Sequence, residues 1–145
     1  MGEVIVEQLK GERLMHFWPA IAAELDQLQF LWADYWTKDV LLNGADCGRF
    51  QIWAAGKDMS ASVILLSQII VYPASTVFQV FLAFGNRLEE MLPMIVATLE
   101  QFARRNGCSS VEIVGRKGWE RKLRADGYRL DTVCVKRSLR SMEIH

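Results

Sequence analysis

Between Thr76 and Phe84 the chain reads TVFQVFLAF, and Val77, Phe78, Val80, Phe81, Leu82, Ala83 and Phe84 are nearly continuous in apolar character. A strand that is apolar on both faces has to be covered on both faces. It therefore belongs inside a sheet with helices on either side, which makes the chain α/β. The residues that follow agree. Met91, Leu92, Ile95, Val96, Leu99, Phe102 and Ala103 recur in steps of three and four and form one stripe on a long helix. Arg104 and Arg105 suit its C-terminal dipole, and Gly107 stops it. Ser110–Val114 is the next strand. A helix between two strands of one sheet is a crossover, so the strands on either side of it should be parallel.

Upstream, Val4–Val6 is a short strand. From Glu12 to Gln29, Leu14, Phe17, Trp18, Ile21, Ala22, Leu25 and Leu28 form a helical stripe, with Pro19 marking a kink or the start of its regular part. An aromatic run follows, with Phe30, Trp32, Tyr35 and Trp36 suited to core or interface, or to the floor of a ligand pocket. Thr37 can cap a helix over residues 38–42, ended by Asn43-Gly44. Arg49–Ala55 and Ser62–Tyr72 are strands, with Ala55–Asp58 as the hairpin turn, and Gly85 closes the meander after Thr76–Phe84. Downstream come a short helix over Gly118–Arg124, a turn at Gly127-Tyr128, and a last strand over Arg129–Ser138. Residues 139–145 are expected to be a loose tail.

The 145 residues suit one domain, and 51% apolar content supplies its core. Seventeen Lys and Arg balance seventeen Asp and Glu, so no whole-molecule field draws in nucleic acid or an anionic membrane. The apolar stretch from Ala61 to Phe84 is broken by Ser67, Gln68, Pro73, Ser75, Thr76 and Gln79, which reads as strands and not as a membrane span. Met1–Lys10 lacks signal-peptide character, which places the chain in the cytosol. Cys47, Cys108 and Cys134 are odd in number and lack C-x-x-C spacing, so neither a disulfide framework nor a zinc site is expected, and small buried hydrophobes are. His16, beside Phe17, reads as structural. The basic run Arg116, Lys117, Arg121, Lys122 and Arg124 reads as a solvated face.

The order of strand, two helices, three antiparallel strands, long helix, parallel strand, short helix and last strand resembles the GNAT acetyltransferase superfamily. The likeness is sharpest in NGCSSVEIVGRKGWERKLRADGYRLDTVCVKRSL, where Gly127-Tyr128 matches the family's Gly-aromatic turn. VGRKGWERKL is also similar to small GNAT-like proteins of phages and prophages, which would make the compartment a bacterial host's cytosol. The resemblance implies a single GNAT-like domain over residues 1–145, with a mixed sheet of about six to seven strands and helices on both faces. It also implies acetyl-CoA, or another acyl-CoA, held where the strands Thr76–Phe84 and Ser110–Val114 splay apart, and an amine as the acyl acceptor.

Family phosphates lie against a glycine-rich loop at the start of the long helix, where backbone N–H groups and the helix dipole meet them. The loop here is AFGNRLEEMLPM, which places Phe84, Gly85, Asn86 and Arg87 against the cofactor but keeps one glycine and adds Glu89 and Glu90. Proline suits only a helix's first turn, so Pro93 implies a helix starting near Glu90, with Gly85–Glu89 as loop. A second signature, Asn-x-x-Ala-x-x-x-Tyr-x-x-x-Gly, places Arg116 at the Asn, Trp119 at the Ala and Leu123 at the Tyr that would protonate the departing thiolate. Tyr128 is the substitute acid and Glu112 the candidate general base. Two readings stand: a divergent acyl-CoA-dependent N-acyltransferase, or a GNAT-fold protein without catalysis that acts by binding, in phage assembly or against a host protein. A homodimer is compatible with either.

Overall fold

The computed structural model describes residues 3–57, 61–115 and 118–139, with the backbone alone at Glu120. In chain order the elements are β1 (Val4–Gln8), α1 (Gly11–Gln27), α2 (Gln29–Trp32), α3 (Lys38–Cys47), β2 (Phe50–Lys57), β3 (Val63–Val71), β4 (Thr76–Gly85), α4 (Leu88–Arg105), β5 (Ser110–Ile113) and α5 (Gly118–Leu123). A single 3₁₀ turn, Arg124–Asp126, follows. The sheet order is β1-β2-β3-β4-β5. Neighbours from β1 to β4 are antiparallel, and β4 with β5 is parallel, as a helical crossover requires.

Alternation along the strands divides the core into two layers. Phe50, Ile52, Ala54, Ile64 and Leu66 join α1, α2 and α3 through Leu14, Ile21, Leu25, Trp32 and Leu41. Trp53, Ala55, Val63, Leu65, Phe78 and Val80 join α4 through Met91, Ile95, Leu99 and Ala103. β4 has apolar packing on both faces, which is why its sequence is almost unbroken. The aromatic run splits between core and solvent. Trp32 is buried and donates its indole N–H to the Leu25 carbonyl at 2.8 Å, and Trp36 stacks on Phe81 at 4.3 Å, whereas Phe30 and Tyr35 are exposed.

Five sequence expectations are corrected. The described residues form five strands, not six or seven, because Arg129–Ser138 makes neither strand nor helix. Its Leu130, Val133 and Val135 are 64%, 71% and 90% exposed. A β-type pattern becomes a strand only beside a sheet edge within hydrogen-bonding reach, and a cavity separates this segment from β5. Ala55–Lys57 is not a turn: β1 pairs with it, Val6↔Ala55 through Val4↔Lys57, and so extends β2; Asp58 lies outside the described residues. α3 runs past Asn43-Gly44 to Cys47, and Gly48 at φ 87° ends it. Gly44 sits inside because the Phe50 ring lies 2.2 Å from where a Cβ would stand. α4 begins at Leu88, two residues before Glu90; Pro93 is exposed in its second turn, so the carbonyl it orphans lies at a solvent-facing helix end. The cysteines are not buried: Cys47 and Cys134 are exposed and Cys108 is partly so.

Candidate functional site

β4 and β5 pair over four residues, from Val77↔Ser110 to Val80↔Ile113. One more bond, from the Val114 N–H to the Val80 carbonyl at 2.9 Å, closes the ladder. Beyond it β4 continues to Gly85, while the other chain turns away through Gly115 toward α5. Among the described residues, Phe81–Gly85 has no partner on that edge. The parallel strands therefore part, and the fork opens toward the start of α4.

A β-bulge sits at the fork. Leu66 pairs with Leu82 and Ser67 with Val80, leaving Phe81 as the extra residue. Phe81 and Leu82 consequently both face the α1–α3 layer. Bulges bend a strand and sharpen its twist, so this one turns β4 where β5 leaves it. Buried hydrogen bonds brace it from the α4 side. Trp53 Nε1 donates to Ser67 Oγ at 2.9 Å, and Ser67 Oγ donates to Gln51 Oε1 at 2.9 Å. Ser67 is fully buried.

At the mouth, the N-cap residue of α4, Arg87, lies in the left-handed region at φ 63° and its side chain makes no capping hydrogen bond. Glu89 pairs with Lys122 of α5 at 2.9 Å. Glu90 pairs with Arg87 at 3.1 Å and Lys57 at 3.9 Å. Among the described residues three cations thus surround two carboxylates, and the helix N-terminus adds partial positive charge. The mouth is suited to an anion despite its acidic residues.

The cofactor candidates fall in different places. Phe84 is buried in the α1–α3 layer. Gly85, at φ 132°, packs so closely on β3 that a Cβ would lie 2.1 Å from the Ser62 carbonyl oxygen. Asn86 donates its backbone N–H to that same oxygen at 2.8 Å. The glycine and the Asn86 amide are therefore committed to β3, and Arg87 is left at the mouth. Arg116 lies outside the described residues.

The catalytic candidates stand on opposite faces of β5. Phe78 and Val111 point to α4, so Gln79 and Glu112 point to the α1–α3 side. There Gln68 Nε2 donates to Gln79 Oε1 at 2.9 Å, and Gln79 Nε2 donates to Glu112 Oε1 at 3.1 Å. This polar row crosses β3, β4 and β5 one rung before the fork. Tyr128 lies on the α4 side, against Leu92, Val96 and Leu123. Its hydroxyl donates to Glu100 at 2.8 Å. Burial first, then the bond to Glu100 and its charge, push the phenol well above its ordinary value. Leu123, at the family's tyrosine position, is 2% exposed and filled by packing. Glu112 and Tyr128 both reach a cavity of about 500 Å³ at the outer edge of β5.

Sequence reasoning gave no site role to Gln68, Lys57 or the bulge, and read Lys122 as part of a solvated face. Gln79 carried a signal, as the one polar residue inside an apolar strand. Glu89 with Lys122 and Glu90 with Lys57 join side chains 33 residues apart in the chain, so nothing local announced either pair.

The fold of this mixed sheet, with its parallel pair parting at the start of a long helix, is similar to that of solved acetyltransferases. An aminoglycoside acetyltransferase from an uncultured soil metagenomic sample superposes with a TM-score of 0.72 at 9% identity, covering 94% of this chain and 99% of that one. The aminoglycoside N-acetyltransferase AAC(6')-Iy in complex with CoA gives 0.67 at 13% identity, covering 97% of each chain. A GNAT family acetyltransferase from Staphylococcus aureus gives 0.60 at 12% identity, covering 96% of this chain and all of that one. No family model and no curated protein matches the sequence. Among the described residues, no helix is long and apolar enough to cross a membrane.

Proposed function

We propose that the chain is an acyl-CoA-dependent N-acyltransferase acting on an amine. The observation that carries this reading is the fork after Val80 and Val114, with the start of α4 at its mouth. The residues fit the cofactor in two respects. The α4 amides with Arg87, Lys57 and Lys122 suit a pyrophosphate, and the unpaired edge of Phe81–Gly85 offers backbone groups to an amide-bearing arm. Bound there, an acyl-CoA supplies an activated thioester.

Glu112 is the general base in this reading. It sits one rung from the fork on the α1–α3 side, and the Gln68–Gln79 row fixes its orientation. It takes the proton that the acceptor nitrogen loses as the N–C bond forms and the C–S bond breaks. Leu123 supplies no proton, and Tyr128 is engaged with Glu100. The leaving group is a thiolate, and thiols are far stronger acids than alcohols or amines (a cysteine thiol has an ordinary pKa of about 8.5), so its departure makes little demand on a general acid. Proximity then provides most of the rate.

One observation favours the non-catalytic alternative, a GNAT-fold protein acting by binding: Leu123 is locked in the apolar cluster where the family's acid would stand. Calorimetry with acetyl-CoA and longer acyl-CoAs, followed by thiol release with a panel of amines, separates the readings. Binding with release supports the enzyme. Binding without release, across polyamines, peptides and aminoglycosides, favours the alternative. No heat at millimolar ligand ends the acyl-CoA reading.

A further inference from the structure

Phe50, Gln68, Gln79 and Glu112 stand opposite one another across β2, β3, β4 and β5. Phe50 packs in the α1–α3 layer, so the rung they form points to that side of the sheet. Three of the four are polar and half-buried, and their hydrogen bonds run in one direction. Gln68 Nε2 donates to Gln79 Oε1 at 2.9 Å, and Gln79 Nε2 donates to Glu112 Oε1 at 3.1 Å. Direction is the informative part. A carboxamide has a donor end and an acceptor end, whereas an ionised carboxylate only accepts. Gln79 can therefore serve Glu112 with its N–H alone. Turned over, it would set its carbonyl oxygen against the carboxylate.

What holds Gln79 the right way round is its other neighbour. Gln68 presents an N–H to the Gln79 carbonyl oxygen, and the two ends of the Gln79 amide reach opposite strands. Fixing one end fixes the other. Gln68 itself stands two strands from Glu112, about 10 Å at the spacing of a sheet. Behind it the rung ends on the Phe50 side chain, which has neither donor nor acceptor to offer. Hydrogen bonds in such a chain polarise and reinforce one another, so a change at its far end is felt at its near one.

We propose that Gln68 is a positioning residue: by donating to Gln79 it sets the direction of the row, and so the orientation of the Glu112 carboxylate, which it does not touch. One carboxylate oxygen is held by Gln79, and the other is turned to the acceptor's proton. This role rests on the reading of Glu112 as the general base, and adds to it that position 68 must carry a donor.

Steady-state thiol release from acetyl-CoA, with the amine the wild type turns over fastest, tests this in the full chain. Gln68→Glu has the same size but accepts where glutamine donates. It should lower kcat by about 10- to 100-fold, the scale of a small misplacement of a reacting group, with the KM for acetyl-CoA unchanged. Gln68→Lys keeps a donor and should restore kcat toward wild type. In a Gln79→Leu background nothing relays the direction, so Gln68→Glu should have no further effect. Equal turnover in wild type and Gln68→Glu, with Glu112→Gln slow, overturns the positioning role and leaves the base in place. An equal loss in Gln68→Glu and Gln68→Lys also overturns it, since packing would then be the cause. A loss that persists in the Gln79→Leu background does the same, as the new charge would be acting through space. Glu112→Gln as fast as wild type removes the base reading and the role with it. NMR of the Gln79 side-chain amide needs no turnover. Glu112→Gln should shift those protons in the wild-type background and leave them in place in Gln68→Glu, where they face β3. Protons that respond alike in both backgrounds belong to a row whose direction position 68 does not set, and that result overturns the proposal.

Discussion

The two edges of β4 are held in opposite ways. Toward β3 it is paired from Val71↔Thr76 to Val63↔Gly85, with one bulge and a glycine fitted against the Ser62 carbonyl. Toward β5 it is paired for four residues and then released. The same strand thus belongs on one side to a closed antiparallel meander and on the other to an open fork. The difference teaches how a small sheet builds a slot: one wall is made rigid by a full ladder, so the other can leave without the sheet losing its shape. It also assigns roles. Residues toward β3 should govern stability, and residues toward β5 should govern chemistry.

The largest effect expected is on the open side. Glu112→Gln should lower turnover by about 10²- to 10⁴-fold, the range for a positioned general base, with acyl-CoA affinity unchanged in calorimetry. A turnover within about threefold of wild type would leave water as the base and remove Glu112 from the reaction. On the closed side, Gly85→Ala should have its effect on folding. It forces a side chain to φ 132° and into contact with the Ser62 carbonyl, costing about 2–5 kcal/mol between strain and overpacking. Val114→Ala, just past the fork and 54% exposed, should cost less than about 0.5 kcal/mol. Urea midpoints measure both, and equal losses would erase the distinction between the two edges.

The bulge joins the two regimes. Ser67→Ala leaves the Trp53 indole N–H and the Gln51 side chain short of a buried partner. A loss of about 1–3 kcal/mol is expected from the orphaned groups. If the bulge sets the fork, the same variant should also weaken acyl-CoA binding more than Val114→Ala does. A stability loss with unaltered binding would show that the network supports the meander alone.

What the sequence disclosed follows the same division. The apolar run 76–84, the stripe of α4 and the strand after it implied a parallel pair, because periodicity records which faces are buried. Thr37 announced α3 because a cap is a local event, and its hydroxyl accepts from the Val40 N–H at 3.2 Å. The end of α3 was misread at Gly44, since the reason for that glycine is the Phe50 ring, six residues on. The last strand was misread because Arg129–Ser138 carries the pattern of a strand but pairs with no sheet edge among the described residues. At the candidate site, Glu112 was proposed on residue type. Its orientation by Gln68 and Gln79 could not be read that way, for it depends on a register across three strands.

Tyr128 gives the smallest effect and the sharpest check on where the acid chemistry is absent. Its hydroxyl donates to Glu100, and burial with that carboxylate raises the phenol above its ordinary value. A raised folded-state value means that the neutral phenol stabilises the native form. That contribution is complete below the unfolded value of about 10 and fades as pH climbs toward the folded one. Between about pH 9 and 11, where ordinary tyrosines ionise, tyrosinate absorbance of the native protein should rise equally in the wild type and in Tyr128→Phe. Turnover at neutral pH should also be equal in the two. A smaller rise in the variant would mean that Tyr128 ionises in that range and is freer than its bond to Glu100 implies. It would then regain its candidacy as the proton donor on the α4 side of β5.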